Sequence, residues 1–372
     1  MMTSNDAPNR REFLGRSAIA TAGLFGGAAF LAACGSSKSA SSGLDPKKLT
    51  GTLNFVNFEG WLGKGEAAAF SAAFPGASLK QIPIAGTQEN WLPKVKDRRG
   101  DYDLALVDGA TIPKLVALDA IASFTPEEVP NQTNIDPSFR SQAWDPDNKY
   151  FVATDYGRTA IGYRTDLVKE PITSYADLFD LLPKYSGKVA VLSRMGSTLG
   201  MAMKRLGYSI NSNDPKEVEE AKKLLIASKK HFLALADSAS PNLLTGDAVI
   251  ALGDDYDIVT AAAKNPKIAW VDPTEGMSAY LEGFVALKGP REDLAKAFIN
   301  FHADPAQNAD FVNTLNIASV VPKAANLIKP SIAKSAILFP SDEVKKRIEF
   351  LVARPPEGEK VWMKAWDEFR AA

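Results

Sequence analysis

From Thr52 onward the chain alternates short apolar runs with longer amphipathic segments, and this alternation confines it to strands covered by helices. Thr52-Leu53-Asn54-Phe55-Val56-Asn57 reads as a buried first strand. A helix carrying Phe70 and Phe74 one turn apart should follow, then a strand from Leu79 to Ile84 and a helix face marked by Trp91, Leu92 and Val95. Asp103-Leu104-Ala105-Leu106-Val107 is a short apolar strand closed by Asp108-Gly109. Strand, helix, strand, helix in this order predicts a parallel sheet with helices on its faces.

The second half repeats the style. Lys188 to Leu192 reads as a strand, with a helix starting near Ser197. Asn211 to Lys230 holds a helix with Asp214 as N-cap, Pro215 as its first residue and Glu217 as capping-box partner. Val218, Ala221 and Leu225, with Leu224 beside them, form its inner stripe, and its lysines and glutamates should face water. Ala248 to Leu252 is another buried strand, ending in Asp254-Asp255-Tyr256-Asp257. Leu294, Phe298 and Phe301 are spaced i, i+4, i+7, as are Trp362, Trp366 and Phe369, which marks core faces rather than a ligand box.

Charge and cysteine content exclude several function classes. With 43 Lys+Arg against 44 Asp+Glu, no basic field exists to hold nucleic acid. A single cysteine forms no disulfide framework, so packing alone must stabilise the fold. His231 and His302 lie in separate segments with no cysteine near them, which argues against zinc, and no cofactor motif is present. No nucleophile elbow, zinc-protease motif or Ser/His/Asp set appears, so an extracytoplasmic hydrolase is only a distant alternative and no enzymatic activity is expected.

The N-terminus addresses the chain out of the cytoplasm. Arg10, Arg11 and Arg16 precede an uncharged run from Ser17 to Ala33, which ends in Leu31-Ala32-Ala33-Cys34. Small residues before a cysteine are what a lipoprotein signal peptidase reads, and Arg10-Arg11-Glu12-Phe13-Leu14 resembles a twin-arginine signal. The uncharged run falls short of the roughly 20 apolar residues of a span. Residues 1–33 therefore read as a signal peptide. Residues 34–50 read as a lipidated Cys34 plus a flexible tether, through Gly35-Ser36-Ser37-Lys38-Ser39-Ala40-Ser41-Ser42-Gly43. The expected location is the periplasm or the outer face of the cytoplasmic membrane, by a twin-arginine or general secretory route.

From Leu53 to Phe369 the chain resembles the substrate-binding proteins of spermidine/putrescine ABC importers. The resemblance runs through Phe55-Val56-Asn57-Phe58, Gly100-Asp101-Tyr102-Asp103-Leu104 and Asp145-Pro146-Asp147-Asn148-Lys149-Tyr150. It continues through Thr159-Ala160-Ile161-Gly162, Leu206-Gly207-Tyr208-Ser209 with Asp214-Pro215-Lys216-Glu217, and Phe298-Ile299-Asn300-Phe301 with Asp304-Pro305. It implies a two-lobed α/β periplasmic-binding fold of type II, with two crossover strands as a hinge, at Tyr150–Gly162 and Tyr280–Leu287. Lobe 1 would hold 51–157 plus 284–320, and lobe 2 would hold 158–283 plus 321–372. A monomer is expected, tethered by lipid, taking a polyamine in the interlobe cleft and delivering it to an ABC permease.

For a polyamine, physics asks for carboxylates at the ammonium ends and aromatic faces along the stem. The resemblance points to Glu282 with Tyr280 as the amine grip, to Phe58 and Trp61 as stem aromatics with Glu59 between them, and to Asp108 as a polar cleft residue. Asp254 stands where such binders carry a tryptophan; its acidic run also reads as a solvated N-cap cluster. The chain departs from the pattern at Ser193-Arg194-Met195-Gly196-Ser197-Thr198, where polyamine binders place acids. Arg194 and Ser197 at a helix N-terminus suit an anion, and Arg158 could reinforce them. The alternative ligand is thus a zwitterionic amine or organic anion, unless both arginines form structural ion pairs. A sensor reporting to a membrane partner would use the same binding chemistry.

Overall fold

The computed structural model describes residues 43–47, 49–84 and 100–372. Cys34, the export signal and most of the tether lie outside the described residues, as does the helix face expected at Trp91, Leu92 and Val95. Among the described residues no helix is long and apolar enough to cross a membrane.

The strands are β1 (Gly51–Phe58), β2 (Ala77–Ile84), β3 (Leu104–Asp108), β4 (Val152–Arg164), β5 (Val189–Leu192) and β6 (Phe232–Ala236). They continue with β7 (Ile250–Asp254), β8 (Ile268–Val271), β9 (Met277–Ala286), β10 (Ala318–Ser319) and β11 (Ile348–Phe350). Among the described residues they form one sheet in the order β2-β1-β3-β9-β4-β7-β5-β6, with β8 and β10 also on β4 and β11 on β9. The parallel pairing expected from the alternation holds within β2-β1-β3 and within β7-β5-β6. Between these two parallel blocks β9 and β4 run antiparallel to each other and to their outer neighbours β3 and β7. The sheet is therefore mixed, because the two longest strands cross from one block to the other. They are the crossings expected at Tyr150–Gly162 and Tyr280–Leu287.

Each block has its own core. On one side Phe55 meets Phe284 edge-on at 5.2 Å, and Phe298 lies 5.0 Å from Phe70. On the other, Leu192, Leu199, Val218, Ala221 and Leu225 pack with Trp362 and Phe369. The C-terminal helix, Pro356–Ala371, buries its Trp362, Trp366 and Phe369 stripe here as the spacing predicts. Val321, Ala324, Ile328, Ile332 and Leu338 pack into the first core. The segment 321–338 thus sits with the block of β1 and β3, not with the second lobe expected for 321–372, because its apolar side chains find their partners there.

Three local expectations are corrected. Asp214 does cap the Pro215–Ser228 helix, accepting from Lys216 N at 2.8 Å, but its own N–H donates to Ser212 Oγ at 3.2 Å, where a capping box would use Glu217. Lys222 does not face water: it is buried between Glu219 and Glu368, both paired with its ammonium. The strand expected at Ala248–Leu252 lies two residues later, at Ile250–Asp254, so its last residue is an acid.

Candidate functional site

The site grows out of strand ends. Asp108 is the last residue of β3, and its Oδ1 accepts from Ala110 N at 2.7 Å, capping the turn that follows. Asp254 is the last residue of β7, at the start of the Asp255–Lys264 helix. Arg194 stands between β5 and the Met195–Arg205 helix. The ends of strands in open α/β sheets are where ligands gather, since loops and helix starts converge there.

Register places three carboxylates in one row. Glu282 on β9 pairs with Asp108 on β3 and with Asp155 on β4. Residues opposed across antiparallel strands project from the same face, so the three acids share it. Asp155 is fully buried; its Oδ1 accepts from Thr154 Oγ1 at 2.7 Å, and Oδ2 has no partner among the described residues. Burial first, then the charges of Asp155 and Asp108, push the Glu282 carboxyl well above its ordinary range, with Arg194 pulling the other way. Burial also pushes Asp155 up to about 6, although Thr154 and His302 oppose it.

Aromatic rings flank the row. Two pairs further along β4 and β9, past Tyr156 and Leu281, Gly157 opposes Tyr280, so the tyrosine lies on the same face as Glu282. Trp61 meets Tyr256 edge-on at 5.0 Å, with Phe58 behind it at 6.4 Å. The turn after β1 holds Trp61 in place: Asn57 donates its side-chain amide to the Trp61 carbonyl, and Trp61 N–H donates to Phe58 O at 3.1 Å. Trp61 Nε1 is buried without a partner among the described residues. Burial followed by the nearby Asp254 charge raises both the Tyr256 and Tyr280 hydroxyl pKa values, so both phenols stay protonated.

The far end of the face carries an ion pair. Asp254 Oδ1 accepts from Thr159 Oγ1 at 2.7 Å, and Oδ2 accepts from Arg194 Nη2 at 2.5 Å. Both oxygens of Asp254 are therefore engaged by protein groups. Its neighbours are not a solvated cap cluster. Asp257 is buried, with Oδ2 accepting from Ala239 N at 2.7 Å and Ser240 N at 2.9 Å. Asp255 is buried, accepting from Arg158 N at 3.1 Å and Tyr256 N at 2.9 Å. Arg158 itself has no exposed side-chain surface; it lies 3.5 Å from Asp255 and 2.7 Å from Asp272, with its guanidinium 5.3 Å from the Trp270 ring centre. It is a structural cation and does not reinforce an anion site.

The structure thus brings Trp61, Asp108, Arg194, Asp254, Tyr280 and Glu282 to one region, with Phe58 one ring further out. Glu59 is exposed in the turn after β1. Ser197 is buried in the first turn of the helix that follows Arg194. Sequence reasoning did not single out Asp155 and did not treat Tyr256 as a ligand-facing ring. A signal for Asp155 was present, since it is the lone charge in Phe151-Val152-Ala153-Thr154-Asp155-Tyr156-Gly157, inside a crossing strand. Among the described residues no group of histidines, cysteines and acids is arranged to hold a metal ion.

Residues 67–340 match the family model of the bacterial extracellular solute-binding proteins. A putrescine/cadaverine-binding protein of Pseudomonas aeruginosa is 27% identical over 308 residues, covering 79% of this chain and 87% of its own. The spermidine/putrescine-binding periplasmic protein of Escherichia coli is 26% identical over 304 residues, covering 80% and 86%. The crystal structure of a Treponema pallidum lipoprotein superimposes with a TM-score of 0.77 at 20% identity, over 87% of this chain and all of that one.

Proposed function

The chain belongs to the bacterial extracellular solute-binding proteins, which serve transporters and are not enzymes, and from that premise we propose that it is the receptor of an ABC importer for aliphatic amines, with polyamines the first class to test. The observation that carries this reading is the row Asp108–Glu282–Asp155. Three acids on one sheet face are costly to bury together, and a ligand ammonium relieves that cost by supplying the missing positive charge. Trp61, Tyr256 and Tyr280 supply the faces that an alkyl stem and an ammonium both favour. The names of the Pseudomonas and Escherichia relatives point to the same ligand class.

In this reading the two cores are two lobes, with the ligand in the cleft between them and β4 and β9 as the hinge. The receptor works as a monomer held to the membrane by lipid on Cys34, and hands its amine to a permease. The test is a thermal-shift series on the body from Thr50 with putrescine, spermidine, amino acids, amino-organic acids and organic acids without an amino group. A ligand at 100 times its dissociation constant adds about 2.7 kcal/mol, which moves a melting point by several degrees. A shift with amines supports the reading; a shift only with compounds lacking an amine ends it.

A further inference from the structure

Narrowing that reading, and resting on it, we infer that Arg194 fixes the charge pattern of the ligand: the site takes an amine that is cationic at one end and neutral or anionic at the other. The acid row and the Arg194–Asp254 pair lie on one sheet face, at opposite ends of Tyr280. Asp155 pairs with Glu282, Gly157 with Tyr280, and Thr159 with both Ser278 and Asp254. Alternate residues of β4 share a face, so the line from Asp155 to Thr159 runs ~13 Å along the strand. A ligand stem laid over Tyr280 points one end at three carboxylates and the other at a guanidinium.

The two ends differ in what they leave to a ligand. At the acid end Asp155 Oδ2 is buried without a partner among the described residues, and the like charges of Asp155 and Asp108 act on Glu282. At the other end Asp254 is closed, one oxygen by Thr159 and the other by Arg194. A second ammonium there would find its carboxylate already neutralised and a guanidinium beside it, and such like-charge juxtaposition is strongly unfavourable. Arg194 is a third exposed, so its charge reaches the site, and its Nε is buried without a partner among the described residues.

The test uses three four-carbon compounds that differ only at the second end: putrescine, 1-aminobutane and 4-aminobutanoate, with five- and six-carbon sets alongside. Binding is measured by titration calorimetry on the wild type, Arg194→Gln and Arg194→Lys. The wild type should bind the aminobutane or aminobutanoate type at least tenfold more tightly than the diamine in at least one chain length. Arg194→Gln frees Asp254 and should reverse the order, gaining tenfold or more for the diamine; Arg194→Lys should keep the wild-type order. Diamines binding the wild type as tightly as their single-ended analogues at every length overturn the inference, as does an unchanged order in Arg194→Gln. In both cases amine binding itself still stands. If no amine of either kind binds the wild type or the variants, the amine reading falls and this inference with it.

Discussion

The backbone of Gly157 lies directly under the ring of Tyr280: a Cβ placed on the glycine would stand 2.1 Å from the tyrosine Oη and 2.3 Å from Cζ. No real contact is that short, and the neighbours of the ring are fixed by strand pairing. Gly157→Ala must therefore push Tyr280 off the sheet face beside Glu282. The expected outcome is a stability loss of about 1–3 kcal/mol from overpacking. Amine affinity should fall at least tenfold, because the stem loses its platform. Denaturant unfolding and calorimetry on the same preparation check both parts.

Glu282→Gln should move stability and affinity in opposite directions. In the free protein the substitution removes a carboxyl whose ionisation is opposed first by burial and then by the charges of Asp155 and Asp108, so the melting point at neutral pH should rise. With an amine bound, it removes the central carboxylate from a desolvated ammonium. The cost is roughly 3–5 kcal/mol, or two to three and a half decades of affinity. A variant that loses stability as well as affinity would mean that Glu282 has a compensating partner and that the row is not repulsive.

Amine affinity should depend on pH with a definite sign. Asp155 titrates at about 6 in the folded chain, above the ordinary carboxyl value, and Glu282 is also raised. The folded state then binds more protons than the unfolded one above the unfolded pKa. Both groups therefore favour folding at low pH; the Asp155 contribution to stability without ligand falls as pH rises through the window from about 4 to about 6, and the raised Glu282 continues the fall towards higher pH. An ammonium reverses the balance by favouring the ionised acids. Its binding should tighten between pH 5 and 7.5 and release protons, with the release seen as a dependence of the calorimetric heat on the ionisation enthalpy of the buffer. Flat affinity across that range would show that Asp155 is already ionised at pH 5.

What the sequence made legible was whatever depends on neighbours along the chain. Leu53, Phe55 and Val56 of the first strand, the strand Leu104–Val107 and the stripe Trp362, Trp366, Phe369 follow from local apolar spacing, and all are buried. Asp214 was readable as a cap because a cap needs only its own helix. The row was half legible: Asp108 stands at a strand end and Glu282 was marked by the resemblance, inside β9, but their alignment with Asp155 is a matter of register between β3, β9 and β4. Register between distant strands has no signature in either strand alone. The same holds for His302 and Glu66. They are 236 residues apart in the chain, yet His302 Nδ1 and Glu66 Oε1 meet at 2.5 Å in the first core, both fully buried. Arg194 was legible as a charge at a helix start but not as the partner of Asp254, 60 residues away.

Arg158 gives the sharpest separation of structure from binding, because it is a buried cation on β4 that projects from the face opposite Asp155, Gly157 and Thr159. Its guanidinium pairs with Asp255 and Asp272, donates to the carbonyl of Ile337 and lies over Trp270. Arg158→Met keeps much of the apolar volume and strands Asp255 without its cation, in a position with no exposed surface to speak of. Removing one member of a buried ion pair costs up to about 3–5 kcal/mol, because the remaining charge is left uncompensated; burial already pushes the Asp255 carboxyl up to about 8, so protonation takes up part of that cost here. Replacing the pair, with Asp255→Asn added, should recover part of that loss. If Arg158 is structural, as its contacts require, the double variant should regain stability and retain amine affinity within threefold of wild type. Calorimetry and denaturant unfolding on the single and double variants decide it: a variant that recovers its stability but still loses the amine would place Arg158 in ligand recognition after all.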